Sequence, residues 1–230
     1  MNFYSTYDKL LVAVDSIIFG FDEEGRELKL LILKRKFEPA KGKWSLMGGF
    51  TNKNESLDDA ARRIVLQLTG LDNVYMEQLY AFGEPERDPG GRIISVAYFS
   101  LIRIDEYDRQ RVKKYGACWV ALSNLPELIF DHNEMTTKAL RKLRIRARTQ
   151  PIGFELLPDK FTIPQLQGLY EAIYQQPFDK RNFRRKILSM GFLEKLDEKE
   201  KESSKKGAFY YRFNQQKYHE LLQKGFDFKI

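Results

Sequence analysis

The sequence predicts an α+β chain of two domains, residues 1–150 and 151–230, and three observations carry that prediction. Before position 150 most apolar residues fall in short β-branched runs that read as strands, with helical spacing confined to limited stretches. Thr149-Gln150-Pro151-Ile152-Gly153 then breaks the pattern. After it the order becomes helix, helix, strand, loop, strand, and no internal repeat is present.

Leu10 to Phe21 is apolar and β-branched, interrupted by Asp15 and Ser16, and reads as the first strand. Asp22-Glu23-Glu24-Gly25 supplies a turn, and Leu28 to Lys34 returns as the second strand of a hairpin. Val74 to Phe82 and Arg92 to Ile104 alternate as strands around a polar loop, Gly83 to Gly91, punctuated by proline and glycine. Gly116 to Leu122 is a further strand, and Leu128 to His132 leads into a helix over Asn133–Arg148. That helix carries Lys138, Arg141, Lys142, Arg144, Arg146 and Arg148 against Glu134. It reads either as a solvated face whose cations complement the helix dipole, or as a strip facing phosphate or a partner subunit.

The stretch from Gly49 to Leu71 organises the rest. Ser56 is placed to cap a helix, Leu57, Ala60, Ala61, Ile64, Val65 and Leu68 form one apolar stripe, and Gly70 stops it. Gly49, Glu55, Arg63, Val65, Gly70 and Leu71 stand at the spacing of the Nudix box, which this stretch resembles. The resemblance implies a Nudix-like α/β/α sandwich with a mixed sheet. In the same pattern Lys43-Trp44-Ser45-Leu46-Met47-Gly48-Gly49 corresponds to a Trp-x-Leu-Pro-Gly-Gly segment that lines the ligand cleft, with Met47 at the place of proline. Phe82 to Arg92 resembles the F-G-x-x-x-R-D-P-x-G-R loop of Nudix proteins that bind ADP-ribose and of their regulator relatives.

The box departs from its pattern at three helix positions, where Ile64, Gln67 and Leu68 replace glutamates. Residues at i, i+3 and i+4 share one helix face, so three glutamates there would gather a carboxylate cluster for Mg²⁺ beside a pyrophosphate. Two aliphatic side chains and an amide offer no anionic oxygen. Asp58 and Asp59 lie in the first helical turn, where acids favour the positive end of the dipole. The expectation is a domain with no catalytic residue, no metal and no cofactor, hence not an enzyme.

Beyond the breaker, Thr162-Ile163-Pro164 opens a helix whose apolar face is Leu166, Leu169, Tyr170 and Ile173. Pro177 ends the connection and Asp179 caps the next helix, anchored by Phe183, Ile187 and Met190 and ended by Gly191. Phe192 to Leu196 and Ala208 to Phe213 read as strands joined by a charged loop, and Tyr218 to Lys224 as a closing helix. Helix, recognition helix and hairpin make a winged helix-turn-helix. Lys180, Arg181, Asn182, Arg184, Arg185 and Lys186 project from the second helix, with Lys205 and Lys206 at the wing tip. Arginine pairs with guanine and asparagine with adenine in the major groove, while lysines serve phosphates.

Composition limits the alternatives. With 43% hydrophobic and 13% aromatic residues the chain buries a sizeable core, which excludes global disorder. A net charge of +7 points mildly toward polyanionic partners. The single cysteine, Cys118, excludes an intramolecular disulfide and lies in an apolar run that suits a structural thiol. His132 and His219 are far apart, so no Cys/His zinc site is expected. No signal peptide and no apolar run approaching 18 residues is present, so a cytoplasmic protein without a membrane partner is expected.

The two-domain order resembles the Nudix-related transcriptional regulators, and P-Q-L-Q-x-L-Y-E-A-I and R-N-F-R-R-K-I-L echo their C-terminal domain. The resemblance implies a homodimeric, ligand-responsive repressor of double-stranded operator DNA. Branches of that group sense ADP-ribose and control NAD synthesis, or sense pentose sugars such as arabinose. Because a diphosphate calls for cations or a metal, the lost carboxylates favour a pentose, L-arabinose first, with ADP-ribose as the alternative. An active hydrolase using Glu55 and Asp58, or a protein-binding adaptor, are the readings from other classes. The effector site is expected at Lys43, Trp44, Glu55, Glu84, Arg87, Asp88, Asp131 and His132, with His132 packing or hydrogen-bonding rather than titrating.

Overall fold

The structure is a computed structural model that describes residues 6–201 and 207–226. Its elements run β1 (Leu11–Asp22), β2 (Glu27–Lys34), β3 (Trp44–Ser45), β4 (Met47–Phe50), α1 (Leu57–Thr69), β5 (Glu77–Phe82), β6 (Ile93–Arg103), α2 (Glu106–Lys114) and β7 (Ala117–Ala121). They continue α3 (His132–Thr149), β8 (Phe161–Thr162), α4 (Ile163–Tyr174), α5 (Lys180–Ser189), β9 (Leu193–Glu200), β10 (Ala208–Phe213) and α6 (Gln215–Gln223). The chain forms two compact units, one holding residues up to Gly20 with Lys29–Ala139, the other Phe21–Leu28 with Leu140 onward.

The first unit is built on a mixed seven-stranded sheet in the order β3-β2-β1-β6-β5, with β4 pairing β1 and β7 pairing β2. β1 is buried almost throughout, because its β-branched run is covered on both faces. On one face Ile18, Leu31, Leu33, Met47 and Ala117 meet Val65 of α1, Leu71 and Val112 of α2. Beside them Ala60, Ala61 and Ile64 of α1 pack with Val14, Val96 and Tyr98. A fully buried aliphatic side chain contributes about 1.5–3 kcal/mol, so this layer holds the box helix in place. α1 starts and stops as its sequence dictates: Ser56 Oγ accepts from the Asp59 amide at 3.1 Å, and Gly70 takes φ +74°.

The short strands β3, β4 and β8 were not expected from the sequence, and three further elements differ from the expectation. Among its described side chains α2 buries one apolar residue fully, Val112, and its local signals are the Asp105 cap that accepts from the Asp108 amide and the cations Arg111, Lys113 and Lys114 in its last turn. β5 begins at Glu77 rather than Val74, because Val74 and Met76 turn into the core under α1. β9 extends to Glu200, so Asp197 to Glu200 lie in a strand instead of the charged loop, with Lys199 and Glu200 opposite Phe209 and Ala208 of β10.

In the second unit, α4 opens with a capping box in which Thr162 and Gln165 satisfy each other's backbone amides. Its apolar face, Leu166, Leu169, Tyr170 and Ile173, is fully buried. Asp179 accepts from the Asn182 amide at the start of α5, which inserts Phe183 and Ile187, and Gly191 follows at φ +79°. The sheet β8-β10-β9 closes over Phe154, Phe161, Phe192 and Phe213, with the Phe154 and Phe213 rings stacked at 4.6 Å. Tyr218 of α6 packs on Phe192 and Phe213. This is the helix, helix, winged-hairpin arrangement read from the sequence.

Candidate functional site

At the three departed box positions the helix carries no carboxylate. Ile64 is 3% exposed and lies so close to Gly49 that a Cβ there would fall 2.9 Å from Ile64 Cδ1. Leu68 packs into the core on both sides of α1, and Gln67 is exposed and accepts from Arg63 Nη1 at 3.2 Å. The surviving acids are engaged elsewhere. Glu55 accepts from Arg63 Nη2 and Nε at 2.6 and 2.9 Å and from the Asn52 amide at 2.6 Å. The Arg63 bonds first, and the Asn52 amide next, hold its carboxyl down to about 2. Asp58 accepts from the Tyr98 hydroxyl at 2.6 Å, and burial, reinforced by Asp58, pushes the Tyr98 phenol up. Among the described residues no three His, Cys, Asp or Glu side chains gather as a metal site. The residues present do not fit the magnesium ion that the box implies.

A buried polar network lies beside the box. Arg87 donates to Asp131 from Nε and Nη2, both at 2.7 Å, and its Nη2 is 3.7 Å from Asp15 Oδ2. Asp15 accepts from Ser95 Oγ at 2.5 Å and faces His132 Nε2 at 3.5 Å. Gly48 sits opposite Asp15 in the β1–β4 pairing, and a Cβ there would come within 2.1 Å of Asp15 Oδ1, so only glycine admits the carboxylate. Burial opposes the charge on Arg87, yet its bonds to Asp131 and the fields of Asp15 and Asp88 raise its pKa overall. The Leu46 amide donates to His132 Nδ1 at 3.1 Å, which assigns the ring proton of a neutral imidazole to Nε2, on the side of Asp15. Burial lowers the His132 pKa against the pull of Asp15 and Asp131.

Two adjoining cavities share the Phe130 ring. The smaller, about 40 Å³, is lined by Asp15, Arg35, Phe37, Arg87, Asp88 and His132 among others. The larger, about 540 Å³, is lined by Ala40, Lys43, Trp44, Pro89, Glu127 and Leu128 to Phe130. Only the larger falls in the range of ligand pockets, about 300–1,000 Å³. Arg35 projects its guanidinium over the Phe37 ring at 4.1 Å and the Phe130 ring at 5.5 Å, and its Nε is buried without a hydrogen-bond partner. A further surface cavity of about 450 Å³ lies along α1 and Leu71–Met76, but its charges are paired: Arg62 with Asp59, Arg63 with Glu55, and Asp72 with Arg111.

The structure thus distributes the eight expected effector residues. Lys43 and Trp44 line the larger cavity, while Arg87, Asp88 and His132 line the smaller. Asp131 stands behind Arg87, and Glu55 and Glu84 line neither cavity. The Glu84 carbonyl closes a turn with the Arg87 amide at 3.2 Å. On α5, Lys180, Arg181, Asn182, Arg184, Arg185 and Lys186 are all exposed. Arg184 Nη2 donates to Tyr211 Oη at 3.3 Å, and Arg185 Nη2 to Asn182 Oδ1 at 3.2 Å. Lys205 and Lys206 lie outside the described residues. On β9, Lys195 and Lys199 hold their ammonium groups 3.7 and 4.4 Å from the centre of the Phe209 ring.

Comparison with known proteins matches two family models in succession. Residues 9–142 match the NUDIX domain and residues 153–213 the NrtR DNA-binding winged helix domain. Over 218 residues the chain is 34% identical to the ADPR responsive transcriptional repressor NtrR of Acinetobacter baylyi, covering 93% of this chain and 86% of that protein. The chain belongs to the Nudix-related transcriptional regulators. A solved regulator of this group, Shewanella oneidensis NrtR complexed with a 27mer DNA, superposes with a TM-score of 0.73 at 26% identity, over 88% of this chain and 93% of that one. The NUDIX domain of the same Shewanella regulator, complexed with ADP ribose, superposes with a TM-score of 0.51 at 28% identity, over 60% of this chain and 90% of that one. Among the branches of this regulator family, these likenesses favour the ADP-ribose alternative over the expected pentose.

Six residues of the regulator escaped the sequence reading. Asp15 was legible only as an interruption of a strand, although a charged residue inside a β-branched run is itself a signal. Arg35, Phe37 and Phe130 carry no motif, and Phe130 is set by its backbone, at φ +52°. Lys195 and Lys199 fell in or beside a stretch taken as the end of a strand and a loop.

Proposed function

We propose that this regulator is an ADP-ribose-responsive repressor whose Nudix-like part, residues 1–150, recognises the nucleotide without cleaving it, and whose residues 151–230 bind operator DNA as a homodimer. The observation that carries this reading is Ile64 seated on Gly49, where an active box would present a metal-binding carboxylate. A cleft without a metal cage still has cations for a diphosphate: Lys43 in the larger cavity and Arg35 in the smaller one beside it. Trp44 and Phe130 supply flat apolar walls. Arg87, Asp131, Asp15 and His132 satisfy one another, so they fix the loop after β5 and the start of α3 rather than contact the effector directly.

The exposed cations and Asn182 of α5 suit a recognition helix in the major groove, with phosphate contacts from its lysines and from the wing. Effector binding then shifts DNA affinity by its differential affinity for the free and DNA-bound forms. A gel shift of DNA upstream of the chain's own gene tests the reading. Retardation by the protein alone, altered by ADP-ribose and not by L-arabinose, supports it. No retardation at moderate salt contradicts it.

A further inference from the structure

The residue that divides the two cavities is held in a conformation that bulky side chains avoid. Phe130 has φ +52°, in the left-handed region that favours glycine or asparagine. Its neighbours pin it there. The Ile129 amide donates to the Trp44 carbonyl at 2.9 Å, Asp131 receives both Arg87 bonds, and the His132 amide donates to the Ile129 carbonyl at 3.1 Å. The ring is half-buried, meets His132 edge-on at 5.9 Å, and lines both cavities. Neither of the two core clusters around α1 includes it. A strained aromatic that contributes a cleft wall rather than a core position marks a functional constraint.

We propose that Phe130 is the stacking wall for the planar base of a nucleoside diphosphate, and that its left-handed backbone is maintained to hold the ring across the larger cavity. The surroundings fit that class of ligand. Pro89, Leu128, Ile129 and Trp44 give apolar walls, the Lys43 ammonium suits the diphosphate, and the Glu127 carboxylate can accept from an exocyclic amine or a sugar hydroxyl. The proposal rests on the ADP-ribose reading and specifies which part of that effector this cavity takes.

Calorimetric titration of ADP-ribose into the full chain and into Phe130→Gly, Phe130→Leu and Phe130→Tyr tests it, with the melting temperature measured for each. Phe130→Gly relieves the backbone and removes the ring, so it melts no lower than the parent yet binds ADP-ribose about tenfold more weakly, the size of one base–aromatic stack. Phe130→Leu shows the same loss, and Phe130→Tyr binds within about twofold of the parent, since only the aromatic variant keeps the stacking face. Unchanged affinity in Phe130→Gly and Phe130→Leu overturns the stacking role while leaving the effector assignment standing. A lower melting temperature for Phe130→Gly shows that the ring serves packing and also overturns it. If the parent itself fails to bind ADP-ribose, the effector reading falls and this proposal with it.

Discussion

Arg87 and Asp131 form a two-point clamp: Nε and Nη2 each donate to a separate carboxylate oxygen at 2.7 Å, with the Arg87 side chain 3% exposed. The clamp joins the loop after β5 to the first turn leading into α3, and Asp15 on β1 completes it from the sheet. A charged side chain buried to this degree is tolerated only with its partners in place.

Removing one partner leaves the other charge buried. Arg87→Leu is therefore expected to lower stability by about 3–5 kcal/mol, and Arg87→Leu with Asp131→Leu by less than the single change. Urea unfolding of the three proteins checks this. A single variant within about 1 kcal/mol of the parent would show that the clamp is dispensable.

His132 predicts a pH dependence. Burial keeps its folded pKa below the unfolded value of 6.5, so the unfolded chain takes up a proton first as pH falls. Stability supported by the neutral imidazole is fully present above pH 6.5 and is lost as pH drops below it, with a slope of at most about 1.4 kcal/mol per unit for one proton. Glu55, held at about 2 by Arg63 and Asn52, adds a slope of the same sign only below its ordinary 4.5. Between about pH 5 and 6.5 the His132→Asn variant is therefore expected to give a flatter stability profile than the parent. Parallel profiles in that window contradict the neutral-histidine assignment.

On α5 the side chains differ in freedom. Arg181 projects without a tie to β10, whereas Arg184 is tethered to Tyr211. Arg181→Ala and Arg185→Ala are expected to weaken operator binding about tenfold each and to reduce the steepness of its salt dependence where a phosphate contact is lost. Both variants are expected to retain the thermal stabilisation produced by ADP-ribose. Fluorescence anisotropy at three salt concentrations measures the first effect, and loss of both properties together would instead indicate a folding defect.

What was legible in the sequence follows from range. The Ser56, Asp179 and Thr162 caps and the Gly70 stop are set by hydrogen bonds spanning three or four residues, so residue type and spacing suffice to read them. The box departure at Ile64, Gln67 and Leu68 is equally local, because one helix face carries all three. The cleft is different. His132 meets the Leu46 amide across 86 positions, and Asp15 meets Ser95 across 80, so their convergence depends on strand order rather than on any motif. Arg87 was expected in the effector loop from the loop's motif alone, whereas its two bonds to Asp131 span 44 positions and depend on the fold. Helix α2 was invisible because its sequence, E-Y-D-R-Q-R-V-K-K, is mostly charged and offers no periodic apolar stripe to read.

The regulator is expected to recognise a nucleotide diphosphate in the larger cavity and to leave it whole, because Ile64, packed on Gly49, puts hydrocarbon where the box needs a carboxylate. The most direct measurement is phosphorus NMR of ADP-ribose incubated with the protein and Mg²⁺. The diphosphate resonances are expected to persist unchanged over hours while the ligand is bound. Their conversion into two monophosphate signals, abolished by Glu55→Gln, would contradict it.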